Sequence, residues 1–276
     1  MPSRLRNLLF ATAILVSAAH LRGQEDFIAN SSPPLPADPN LAKIACFRVL
    51  YAADVKAPAI TLAKAADASH ADLLASKVAG GTFSPYIAVR PEKYTLYVLD
   101  GNVTGDLTKD VLEKSKVAEP VKIELPAGGY RTILIQNQAG KTSASLLSDT
   151  ATAASAPPEM RVLDLSGLSG WAVQLLNPKG NPISTLWKTG SPSEHIQIPN
   201  SGIYLIRVVR NDKTHLRQIA TFECRIVPGN AFSIILLPGY KNRGSALFTF
   251  DGTLGSAYNV DTIKTLASGV APPSQP

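Results

Sequence analysis

Ile196-Gln197-Ile198-Pro199-Asn200-Ser201-Gly202-Ile203-Tyr204-Leu205-Ile206-Arg207-Val208-Val209 is the stretch on which the fold turns. Ile196 and Ile198, then Tyr204, Ile206 and Val208, recur with period two, as half-buried antiparallel strands require. Between them Pro199, Asn200 and Gly202 supply a fixed φ and the positive φ values of a turn. Strand, proline-glycine turn and strand at short spacing predict a β-sandwich.

Working outward, the same grammar occurs upstream. Ser84-Pro85-Tyr86-Ile87-Ala88-Val89-Arg90-Pro91 precedes Tyr94-Thr95-Leu96-Tyr97-Val98. Phe47-Arg48-Val49-Leu50-Tyr51 matches Met160-Arg161-Val162-Leu163-Asp164, and Ala59-Ile60-Thr61-Leu62 matches Ala172-Val173-Gln174-Leu175-Leu176. Further on, Ile123 to Tyr130 leads into Thr132-Ile133-Leu134-Ile135, as Cys224 to Phe232 leads into Ser233-Ile234-Ile235-Leu236-Leu237. The ordered features recur at offsets falling from about 113 to about 102 residues, which fits duplication with loop changes. The expected fold class is all-β: two tandem antiparallel β-sandwich domains of immunoglobulin/fibronectin type. Two stretches break the pattern. Alanine-rich Ala63 to Ser76 and Leu107 to Val117 carry helix formers and predict short helical insertions in the first domain.

Composition agrees. In 276 residues, 45% are apolar and 17% charged, with Pro 21 and Gly 19 against Met 2 and Trp 2, which favours many turns and short strands over long helices. The N-terminus reads as a secretory signal: Arg4 and Arg6, then the apolar run Leu8 to Ala19, then small residues. The expected organisation is a signal peptide at 1–23, a Pro-rich spacer at 24–42 and a first sandwich at 43–149. A linker at 150–158, a second sandwich at 159–265 and a disordered tail at 266–276 complete it. Removing residues 1–23 takes away Arg4, Arg6 and Arg22 and no acid, so 24 basic residues face 21 acidic ones and the formal +6 becomes +3. With no basic run either, nucleic acid is not the expected partner. No later stretch is long and apolar enough to span a membrane once the signal is cleaved.

Chemistry-bearing constellations do not emerge. His20, His70, His195 and His215 share no metal-ligand spacing. Gly80-Gly81-Thr82 is a turn doublet without a following Lys. Asp100 and Asp251 each precede Gly, where Asp forms turns. Cys46 and Cys224 sit on differently facing sides of their strands, which favours two separate buried or half-buried thiols over a bridge. The sequence therefore predicts no enzyme, no cofactor and no metal. Aromatics give the only binding hint. Tyr86, Trp171 and Trp187 are the candidates for a ring-stacking surface, against the alternative that such residues pack a core or an edge.

The repeated motif, an Arg-Val-Leu opening strand and Leu125-Pro126-Ala127-Gly128-Gly129-Tyr130 before a β run, resembles a family of uncharacterised exported bacterial domains. That resemblance implies tandem sandwiches over about residues 43–255. The layout of signal, two β domains and no catalytic residues also looks like the periplasmic accessory protein of alginate O-acetylation, a family with no catalytic motif to transfer. The expectation is an exported, periplasmic or extracellular binding or adaptor protein whose partner is an envelope protein or polysaccharide. An accessory factor in alginate-type O-acetylation and a surface structural protein are the alternatives.

Overall fold

The computed structural model describes residues 40–54, 56–65, 71–103, 106–138, 141–149, 156–191, 196–212, 215–252 and 268. The signal, most of the spacer, residues 150–155 of the linker and nearly all of the tail lie outside the described residues, as do His20, His70 and His195.

The first unit comprises β1 (Ala45–Ala52), β2 (Ile60–Ala65), β3 (Asp72–Val78), β4 (Thr82–Phe83), β5 (Ile87–Val89) and β6 (Lys93–Asp100). It continues with α1 (Lys109–Ser115), β7 (Val121–Glu124), β8 (Tyr130–Gln138) and β9 (Lys141–Asp149). The second comprises β10 (Glu159–Asp164), β11 (Trp171–Leu176), β12 (Pro182–Lys188) and β13 (Ile196–Gln197). It closes with β14 (Gly202–Asn211), β15 (Leu216–Ile226), β16 (Ala231–Leu237) and β17 (Ser245–Asp251).

Strand order repeats between units. An outer sheet β3-β2-β6-β7 has its counterpart in β12-β11-β14-β15. An inner sheet β4-β1-β8-β9, with β5 also on β1, has its counterpart in β13-β10-β16-β17. Each unit is thus two facing sheets around one core. Phe47, Val49, Leu62, Leu96, Val98 and Ile133 fill the first. Trp171, Val173, Ile206, Val208, Phe232 and Ile234 fill the second. Near the starts of β6 and β14, Tyr94 and Tyr204 donate their hydroxyls to the carbonyls of Arg90 (2.6 Å) and Asn200 (3.1 Å). A tyrosine pinning its own upstream corner is a mark of immunoglobulin-type sandwiches.

All but one pairing in each unit is antiparallel, as expected. The exceptions are β1 on β8 and β10 on β16, which run parallel. A parallel pair needs a long crossover, and here the intervening strands of the unit serve as that crossover.

The predicted helix over Ala63 to Ser76 is replaced in the described residues by strand: Ala63–Ala65 ends β2, and Asp72 onward forms β3, paired to it through Lys64 and Asp72. Tertiary pairing overrides alanine's helical preference, because Ala63 and Ala65 are small enough to be buried on β2 beside β6. This hairpin corresponds to β11–β12, so it is not an insertion. The second predicted helix forms. Thr108 caps α1 by accepting from the Val111 N–H, and Leu112 is its buried residue, packed with Ala63, Leu99 and Leu107.

The two inner sheets also have apolar outward faces, and these meet. Leu50 and Leu134 pack with Ile235 and Leu237, with Phe83, Leu147, Leu163 and Leu247 around them. β1 and β16 are buried along both faces, which explains why each reads as a near-continuous apolar run rather than an alternating one.

Candidate functional site

The seam between the inner sheets holds the charged interior of the protein. Arg48 on β1 and Arg161 on β10 point outward from their own cores, into the seam, and are 2% and 8% exposed. Asp149 and Asp251, at the ends of β9 and β17, are each 6% exposed. Arg48 Nη2 donates to Asp251 Oδ1, and Arg161 Nη2 donates to Asp149 Oδ1 at 2.8 Å. Two arginines and two carboxylates balance, and hydroxyls fill the remaining lone pairs. Thr132 donates to Asp149 (2.7 Å), Ser233 donates to Asp251 (2.7 Å), and Tyr86 donates to Asp149 (2.8 Å). The Arg48 guanidinium is also flanked by aromatic rings, Phe83 at 4.5 Å and Tyr86 at 4.7 Å from the ring centroids. Burial pushes the Asp251 carboxyl up from its ordinary value, opposed by Arg48, Arg161 and the Ser233 hydroxyl. Burial likewise pushes the Tyr86 phenol up. Two arginines, two carboxylates and their hydroxyl partners thus tie the inner sheets of the two units together through charge-assisted hydrogen bonds.

The three aromatic candidates are all interior. Tyr86 is 5%, Trp171 1% and Trp187 5% exposed, so none offers a ring face for stacking. Tyr86 lies edge-on to Tyr130, with centroids 5.0 Å apart, and serves the seam. Trp171 donates its indole N–H to Ser166 (2.9 Å) and packs in the second core. Trp187 donates to the Ser191 carbonyl (3.2 Å). Alternation along a strand separates two faces but does not say whether the second face meets water or another sheet.

Cys46 and Cys224 are free and buried. Burial pushes each thiol up to about 12. His215 is exposed in the β14–β15 turn, where its backbone N–H donates to Asp212 Oδ1. Among the described residues, no group of three or more His, Cys, Asp or Glu side chains is placed to hold a metal ion. No helix among them is long and apolar enough to cross a membrane.

Among the described residues, a shallow, open groove lies between the end of β6 and α1, with a volume of about 430 Å³ and a lining of Asp100, Asn102, Val103, Val111, Lys114 and Ser115. Asp100 Oδ1 accepts the Asn102 N–H at 2.8 Å, bracing the turn that forms one wall. The groove exists because α1 is inserted between β6 and β7, where the second unit passes directly from β14 to β15.

No family model and no curated protein matches the chain. Among solved structures, the Bacillus anthracis TIE protein aligns at 10% identity and a TM-score of 0.24, over 71% of this chain and 34% of that one. This chain thus spans about a third of that protein. A carbohydrate-binding module of family 26 from Eubacterium rectale Amy13K, solved with maltoheptaose, aligns at 9% identity and a TM-score of 0.21, over 78% of this chain and all of that one. At these values neither likeness bears on function, and neither points to alginate acetylation. The sandwich architecture rests on the strand pairings themselves.

Proposed function

We propose that this chain is an exported, non-catalytic binding or adaptor protein of the cell envelope, with its two sandwich domains at 43–149 and 159–265. The observation that carries the reading is the contrast between the units. Their strand orders match, yet among the described residues α1 is an element of the first unit only, and beside it lies the groove lined by Asp100, Asn102, Lys114 and Ser115 together with two valines. Loops and insertions on a rigid scaffold are where binding residues concentrate, and an open groove suits a surface of a larger partner rather than an enclosed small molecule. The charged residues of the interior, by contrast, are consumed in holding the seam. The N-terminal signal supports export, and the low net charge fits a polysaccharide or protein partner better than nucleic acid. No feature of the groove favours an acetylation accessory over other envelope adaptors.

The test is capture from a cell-envelope extract by the full chain, beside an Asn102→Ala/Lys114→Ala variant. A polysaccharide or protein retained by the parent and released by the variant supports the reading. Equal retention by both, or none by either, removes it.

A further inference from the structure

Contacts across the seam occur twice, with the roles of the units exchanged. Arg48 of the first unit reaches Asp251 of the second, while Arg161 of the second reaches Asp149 of the first. Arg48 Nη1 donates to the Phe250 carbonyl (3.0 Å), and Arg161 Nη1 donates to the Ser148 carbonyl (2.6 Å), each one residue before the aspartate concerned. Within each unit the geometry repeats again. Arg48 Nε donates to Thr132 (2.9 Å), whose hydroxyl passes on to Asp149. Arg161 Nε donates to Ser233 (3.2 Å), whose hydroxyl passes on to Asp251.

Register makes the equivalence residue by residue. Arg48 stands opposite Thr132, and Arg161 stands opposite Ser233. Asp149 stands opposite Tyr130, and Asp251 stands opposite Ala231, each two residues before the hydroxyl-bearing partner. Leu50 and Leu134 from one side meet Ile235 and Leu163 from the other in one apolar patch. If two equal units were stacked by translation, each arginine would face a different surface of its neighbour. Here each arginine meets the aspartate of the same inner sheet of the other unit, and the converse contact exists too. That reciprocity, residue i on j and j on i, defines an isologous, twofold interface.

We propose that this seam is a twofold homodimer interface carried within one chain, so that the surface each unit buries is complementary to the other unit of a second copy of this chain. The short connection between β9 and β10 settles the pairing within one chain by effective concentration. A chain whose connection cannot close pairs instead with a second copy by exchanging units, and the same Arg–Asp contacts then form between chains.

The experiment is the full chain with residues 150–155 deleted, its mass read by light scattering after size exclusion. A doubled mass with the parent's melting profile is expected. A folded monomer whose two units melt in separate transitions overturns the proposal. Should the deletion prevent folding, the full chain with a site-specific protease sequence replacing residues 150–155, cut after folding, decides the matter. Pieces that stay together through size exclusion support the interface, and pieces that elute apart overturn it.

Discussion

The guanidinium of Arg161, rooted in β10 of the second unit, donates to the carboxylate of Asp149 at the end of the first unit's β9, at 2.8 Å. Asp149 also accepts from Thr132 and Tyr86 and lies 3.7 Å from Arg48 Nε, so removing Arg161 strips a buried carboxylate of its closest cation and leaves only the longer pairing with Arg48. Arg161→Met is expected to lower the unfolding free energy by about 3–5 kcal/mol, the usual cost of orphaning a buried charge. Adding Asp149→Asn recovers part of that loss, because the amide oxygen still accepts the hydroxyls without carrying charge. Urea unfolding of the two single variants and the double variant, read as a double-mutant cycle, checks the coupling. Strict additivity would contradict it.

Asp251 links the seam to pH. Because burial raises its carboxyl above the ordinary value of 3.8, the folded state holds the proton through a window in which the unfolded chain has already lost it. Stability then falls as pH rises through that window, by at most about 1.4 kcal/mol per pH unit, and levels off above it. Compared with Asp251→Asn, which cannot titrate, the parent is expected to lose relative stability from acid toward neutral pH. Unfolding free energies measured across that range test the sign, and a parent that gains on the variant as pH rises refutes it.

The buried thiols give a third expectation. With Cys46 and Cys224 pushed up to about 12, little thiolate exists at pH 8, and thiolate is the reactive form. Alkylation of the native protein should be far slower than in urea for both residues. Mass spectrometry after timed iodoacetamide treatment reads this directly, and rapid native labelling of either cysteine would show that its site is open.

Two glycines separate backbone strain from packing. Gly180 has φ +82 with open space where a Cβ would sit, whereas Gly244 has φ +87 and a Cβ there would lie 2.5 Å from the Trp171 ring. Gly180→Ala carries the strain alone, of order 1–3 kcal/mol. Gly244→Ala adds displacement of a fully buried indole, so it should melt at the lower temperature and shift the tryptophan emission. Thermal melts followed by fluorescence distinguish the two.

Much of this was legible beforehand. The duplicated order of strands and the pairing of Phe47 to Tyr51 with Met160 to Asp164 survive in the fold; a connection does fall between β13 and β14, but neither Asn200 nor Gly202 takes the positive φ expected there, and Gly202 opens β14. That last match already set Arg48 beside Arg161, and another set Thr132 beside Ser233. What escaped was the partner set. Asp251 precedes a glycine and reads as a turn former, and Asp149 has nothing local to distinguish it, because both acquire their role from residues far along the chain. A signal was nonetheless present. Ala45 to Ala52 is apolar on both faces except for one arginine, and such a strand is covered on both sides. The same cover hides Tyr86, while Trp171 and Trp187 are taken up by the second unit's own packing. The Ala63 to Ser76 stretch misled for a different reason: small side chains suit a helix, but they suit a closely packed strand equally well.

Arg48 and its aspartate on β17 are separated by 203 residues. During synthesis, which proceeds from the N-terminus, the arginine therefore emerges long before the residue that neutralises it, and β1 waits similarly for β8. Such distant pairings make assembly slow and late. Losing only the final strand would undo a contact near the beginning, so damage at the C-terminal end of the described fold is transmitted to its first strand.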